Sequence, residues 1–134
     1  MMHNCKNLYT AWYLLYITYG VLAIAAGADK FFDMLVYWPI YLNPKIPALF
    51  NMSAQQFMYG VGIIEILAGL LVFARPFYGG LLIAAWFGLI ILNLLSTGQY
   101  FDIAVRDVGL VVGALVLSLL TLELAHREHD LSRR

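Results

Sequence analysis

Three ionisable side chains sit where an apolar chain offers little water. Lys30 closes the run GVLAIAAGADKFFD, Glu65 lies inside GIIEILAG, and Arg106 lies in FDIAVRDVG. A charge carried into hydrocarbon costs at least a few kcal/mol unless it is paired, hydrated or protonated, so ionisable groups at depth turn inward and find partners. Glu65 is the sharpest of the three. About twelve residues into its helix, it lies roughly 18 Å below the outer end of that helix. That position suits a proton-carrying or ligand-binding carboxylate, and equally a hydrogen-bonded carboxyl that fixes helix packing. Lys30 and Arg106 fall within about one turn of the outer ends of their helices, hence about 10 Å shallower than Glu65 on rise alone. Long side chains cover part of that distance; water, Asn93 or helix tilt has to cover the rest. A direct Glu65–Arg106 ion pair is compatible with the spacing without being required by it.

Further carboxylates surround these positions. Asp102 and Arg106 are four apart on one helix and can pair locally. Asp29 and Asp33 are also four apart, share a face and repel unless a cation lies between them, a role open to Lys30 or Arg106. Two carboxylates are a weak metal signature, and no metal is expected. Asp107 lies about 100° round the helix from Arg106 and addresses another helix or the connection above it. Trp38, Tyr41, Trp86 and Tyr100 read either as anchors at the membrane–water interface or as walls of a pocket for a flat apolar molecule such as a quinone. Asp29, Lys30, Asp33, Glu65, Asn93, Asp102, Arg106 and Asp107 therefore form the expected charged and polar cluster, with the four aromatic residues as its wall or lid.

The elements that must position these groups are apolar helices with small-residue stripes. Gly20, Ala23, Gly27 and Lys30 fall within about 80° of one another at about 100° per residue. Gly62, Glu65 and Gly69 share a face of the second helix, and Asp102, Arg106, Gly109 and Gly113 a face of the fourth. Such stripes let helices approach closely in lipid. Four helices are expected, at about 8–33, 54–74, 77–97 and 102–124, with polar ends at 1–7 and 125–134. The first spans roughly 39 Å, more than a bilayer core of about 30 Å. Ser53 and Gln56 form a capping box ahead of the second helix, Arg75-Pro76 ends it, and Gly98 suits a C-terminal cap of the third. Residues 34–52 are the only long connection. Pro39, Pro44 and Pro47 exclude a spanning helix there, and the segment reads as an interfacial turn or short helix, or as a lid over the cluster.

Composition points the same way. Of 134 residues 63% are hydrophobic and 12% charged, whereas a soluble domain carries about 25% charge. The expected class is an all-α, single-domain integral membrane four-helix bundle whose first partner is the lipid bilayer. Net charge is zero, so there is no electrostatic footprint for nucleic acid. Cys5 is the single cysteine, which excludes an intrachain disulfide or a Cys-x-x-Cys pair. His3, His126 and His129 lie in the polar ends; His126 and His129 could join Glu123 around a metal, but a solvated tail is the simpler reading. No signal-peptide pattern precedes the first helix, and no haem-attachment motif, phosphate loop, nucleophile elbow or metalloprotease signature is present. With both termini on the inner side, Lys6, Arg75, Arg127, Arg133 and Arg134 face inward against Lys30, Lys45 and Arg106 outward. The excess of basic residues favours cytoplasmic termini.

The segments GADKFFD, WPIYLNPKIP, GIIEILAGLLVFARP and LNLLSTGQYFDIAVRD together resemble the DoxX-like small membrane proteins over about residues 20–125. The shared elements are four helices, a Gly-x-x-Lys element closing the first (Gly27, Lys30) and a carboxylate in the second (Glu65). The resemblance implies a four-helix protein of the bacterial inner membrane, related to subunits of a thiosulfate:quinone oxidoreductase and to accessory or assembly proteins. Relatives of the MauE type work with cysteine pairs, which this chain lacks. The leading expectation is thus a non-catalytic accessory subunit with a quinone-facing pocket, no cofactor of its own, and a redox subunit or a second copy as partner. A small proton-coupled carrier using Glu65 and a purely structural or assembly protein are the alternatives.

Overall fold

The computed structural model describes residues 2–133, with side chains from Lys6 onward; Met1, Arg134 and the side chains of His3 and Cys5 lie outside the described residues. The chain forms α1 (Met2–Phe32), a 3-10 turn (Trp38–Tyr41), the short α2 (Lys45–Leu49), α3 (Ala54–Ala74), α4 (Pro76–Thr97) and α5 (Phe101–Ser132). Among the described residues there is no strand. The four long helices are each apolar and long enough to cross a membrane, and they pack as a bundle. Their outward faces carry Leu14, Ile17, Val21, Ile63, Leu67, Leu70, Val112 and Leu119, all exposed. Helices that are apolar outside as well as inside need lipid, not water, around them. The protein is a multi-pass membrane protein.

Local sequence explains the boundaries. Ser53 Oγ accepts from the Gln56 amide while the Gln56 side chain accepts from the Ser53 amide, so the capping box opens α3 as expected. Pro76 starts α4 at a position where its missing N–H is no loss. Gly98 ends α4 at φ +70°, the left-handed conformation that a glycine adopts without steric cost. Asp33 closes α1 at φ +52°. Two ends differ from the sequence expectation. The polar N-terminal lead is already helical, and the polar tail continues α5 to Ser132. The tail lacks an apolar stripe but has helix-spaced pairs instead: Arg127 meets Glu123 at 2.8 Å and His126 meets Asp130 at 3.6 Å. Tyr9 of α1 also donates to Glu128 at 3.1 Å, tying the two extensions together.

α1 packs most closely on the antiparallel α3, and α4 on α5. The glycine stripes face each other across the first pair. A Cβ on Gly62 would lie 2.6 Å from the Gly27 carbonyl oxygen, and a Cβ on Gly27 would lie 2.6 Å from that of Gly62. One turn-pair further along, a Cβ on Gly69 would lie 2.8 Å from the Gly20 carbonyl oxygen. The backbones are therefore as close as helices can come. In the third expected stripe only part is used: Gly113 is covered by the Tyr19 ring, whereas Gly109 has open space. Polar pegs lock the bundle at the end that carries the termini. Tyr16 donates to the Phe73 carbonyl at 2.8 Å, Trp12 to Thr121 at 2.8 Å and Ser118 to the Phe77 carbonyl at 2.8 Å.

Gly62→Ala is expected to destabilise the bundle by about 1–3 kcal/mol, because the added methyl must push α1 away from α3. Gly60→Ala, with nothing within 4 Å of the new Cβ, serves as its control and leaves the unfolding midpoint in detergent unchanged or raised.

Candidate functional site

The glycine contacts set the geometry of the charges. Because α1 and α3 are antiparallel with Gly27 against Gly62, Lys30 lies three residues beyond the contact in one direction and Glu65 three residues beyond it in the other. That leaves about 9 Å along the axis between the two Cα atoms. Helical side chains, however, lean towards the N-terminus of their own helix. In an antiparallel pair these two lean towards each other, and the gap closes. Lys30 Nζ donates to Glu65 Oε2 at 2.7 Å, with both side chains buried. The missing Cβ of Gly62 makes room for the lysine stem, whose Cβ comes within 3.2 Å of where that atom would stand.

Each partner is held by an indole. Trp86 of α4 donates from Nε1 to Glu65 Oε1 at 3.2 Å, so both carboxylate oxygens have donors. Trp38 lies over the ammonium group with 3.8 Å from Nζ to its ring centroid, a cation–π contact that gains strength when desolvated. Asp29 fixes Trp38 in turn, accepting from its Nε1 at 2.7 Å and from the amides of Met34 and Leu35 at 2.9 and 3.1 Å. The carboxylate that ends α1 thus places the ring that covers the lysine.

The connection at 34–52 folds over this end of the bundle. Asn93 of α4 accepts from the Asn43 amide at 3.0 Å and donates to the Tyr41 carbonyl at 2.8 Å; Asn43 donates to Ser96 at 3.0 Å. Tyr41 and Tyr100 meet edge to face at 4.8 Å between centroids. Asn93 therefore holds the connection down and does not bridge Glu65 to a cation.

Beneath this roof is a cavity of about 390 Å³ enclosed by α1, α3, α4 and α5. Its lining includes Lys30, Glu65, Trp38, Tyr41, Trp86, Asn93, Arg106 and Asp107; the rest is largely apolar, with Ile83, Phe87, Ile90, Leu94 and Ile103. Tyr19 borders it as well, its hydroxyl donating to the Leu110 carbonyl at 2.6 Å. Leu22, Ala25, Leu35 and Arg106 line the cavity and are also exposed. The mouth therefore opens on the side of the bundle, between the C-terminal half of α1 and the start of α5.

Arg106 and Asp107 form the second charge pair, at 3.2 Å from Nη2 to Oδ1. The Asp107 side chain is 3% exposed, the Arg106 side chain 68%. The sequence left Glu65 and Asp102 open as partners for Arg106; neither is the one found. Glu65 is taken by Lys30 and Trp86, and Asp102 stays exposed in the first turn of α5. A buried carboxylate draws a cation more strongly than an exposed one, because less water screens it. Asp102, Asp33 and Tyr100 do not line the cavity. Asp33 sits in the left-handed turn after α1, with its Oδ1 sealed and without a hydrogen-bond partner. Among the described residues no group of His, Cys, Asp and Glu is arranged to hold a metal. Tyr19 escaped the sequence reading because one tyrosine among nine looks like any interface anchor; its register opposite Gly113 was the available signal.

Removing one partner of the central pair leaves a buried charge alone, so Lys30→Met or Glu65→Gln is expected to cost about 3–5 kcal/mol. The double variant is expected to recover most of that loss, as read from thermal unfolding of the four proteins in the same detergent. Asn93→Leu is expected to speed hydrogen exchange at the Asn43 amide while leaving α1 and α3 protected, measured by exchange mass spectrometry. Comparison of the chain with protein-family models, curated proteins and solved structures finds no match.

Proposed function

We propose that this chain is a DoxX-like protein of the bacterial inner membrane, acting as an accessory, quinone-facing subunit of a membrane redox complex. The observation that carries the reading is the cavity with its mouth on the side of the bundle. At about 390 Å³ its size falls in the range of about 300–1,000 Å³ typical of small-molecule sites. Its apolar wall suits a flat ring, and its polar groups are gathered at one end under Trp38 and Tyr41. A ligand reaching it through the gap between α1 and α5 comes from the bilayer, where quinones are dissolved. The excess of basic residues at the end of the bundle carrying the termini supports cytoplasmic termini, with the cavity then in the outer half of the membrane. A proton-coupled carrier built on Glu65 has less support, because both of its oxygens are already hydrogen-bonded within the protein.

Purification by gentle extraction, followed by native mass spectrometry and an absorption spectrum of the same sample, tests the reading. A bound quinone is expected, together with loss of most of it in Ala26→Phe, which fills the cavity from α1. A quinone-free protein that also takes up none when a decyl-substituted benzoquinone is added to nanodiscs overturns it.

A further inference from the structure

The two charge pairs of the cavity are not equivalent. Glu65 has a donor on each oxygen. Asp107 has both of its contacts on Oδ1, from Nε and Nη2 of Arg106 at 3.4 and 3.2 Å. Among the described residues no donor meets its Oδ2, and that oxygen is not one of the sealed atoms. The residue is 2% exposed overall and lines the cavity, which places its carboxylate at the cavity wall. A carboxylate oxygen is an acceptor only. Three neighbouring donors are committed elsewhere: Trp38 to Asp29, Trp86 to Glu65 and Asn93 to Tyr41.

From this asymmetry we infer that Asp107 is the ligand-binding carboxylate of the cavity and that it selects the hydroxyl-bearing, reduced form of the ring. The inference rests on the reading of the cavity as a quinone site and adds which redox form it holds. A quinol hydroxyl donates to Oδ2, and its own oxygen can accept from the Arg106 N–H groups left at the mouth. A quinone carbonyl in the same place sets one acceptor against another and leaves the buried oxygen unpaired, which is the costly arrangement. A hydrogen bond to a charged acceptor discriminates by about tenfold to a hundredfold in affinity. The residue involved is not the one that depth alone singles out: Glu65 is structural here, and Asp107, nearer the start of its helix, meets the ligand.

The test uses the full chain in nanodiscs under anaerobic conditions, with protein-free nanodiscs as the baseline for partitioning. Three probes of one shape are compared: a decyl-substituted benzoquinone, its quinol, and the bis(methyl ether) of that quinol, which cannot donate. Retained ligand is extracted and quantified by mass spectrometry. The wild type is expected to hold the quinol at least about tenfold more tightly than the other two, and Asp107→Asn is expected to abolish that preference. If Asp107→Asn does not fold, the ether decides the matter in the wild type. A quinone or ether held as tightly as the quinol overturns the role of Asp107 while leaving the cavity a quinone site. A folded Asp107→Asn that keeps the preference does the same, and retention of none of the three overturns both readings.

Discussion

The Lys30–Glu65 contact is the constraint around which the bundle is arranged. A lysine and a glutamate that are both buried in a membrane protein are each expensive alone, and their mutual attraction offsets that expense only with close geometry and further hydrogen bonds. The structure meets this condition with a sequence of small requirements. Glycines at 27 and 62 bring the helices close enough. The antiparallel direction makes the two side chains converge. Trp86 donates to the carboxylate oxygen that Lys30 leaves free, and Trp38 covers the ammonium group. Asp29 then holds Trp38. Each step fixes the next, so the end of α1, the turn above it and the middle of α4 are positioned by one ion pair.

That arrangement has a consequence for the interior. Had the four long helices met tightly at both ends, no cavity would remain. At the end with the termini they do meet, through tyrosine, tryptophan and serine pegs on backbone carbonyls and on Thr121. The last such peg from α1 to α5 is Tyr19 on Leu110. Beyond it, bulky indoles and the folded connection occupy the space near the charges and leave the region between α1 and α5 unfilled. The roof, held by Asn93 and Asn43, closes the end against the interface, so the remaining way in is lateral.

Much of this was legible from the chain. Four apolar stretches, three prolines in one connection, a capping box at Ser53 and a glycine after α4 specify their elements through local chemistry that a single sequence displays. The grouping of Lys30, Glu65, Asn93, Arg106 and Asp107 was also visible, since ionisable groups in apolar helices have few places to go. The pairing within the group was not. Counting rise per residue separates Lys30 from Glu65 by about 9–10 Å, and only the lean of side chains along antiparallel helices removes that distance. The preference of Arg106 for its neighbour Asp107 over Asp102 depends on which carboxylate is buried, a tertiary property. The helical tail was hidden for a different reason: its support comes from i,i+4 charge pairs and Tyr9, not from an apolar stripe.

Pairing also decides what kind of molecule the cavity can accept. Lys30 with Glu65 and Arg106 with Asp107 cancel formally within the lining, so an ion entering from lipid would meet no uncompensated charge and would lose its hydration without return. An uncharged molecule pays no such penalty, and the apolar wall rewards burial of a ring. Specificity must then come from hydrogen bonding to whatever polar atom is left open, because apolar contact alone discriminates weakly between rings of similar shape. Where the glutamate has a donor on each oxygen and the indoles and the asparagine already donate elsewhere, the second oxygen of Asp107 is an acceptor without a donor on it, and under the proposed reading it is the atom that tells a hydroxyl from a carbonyl.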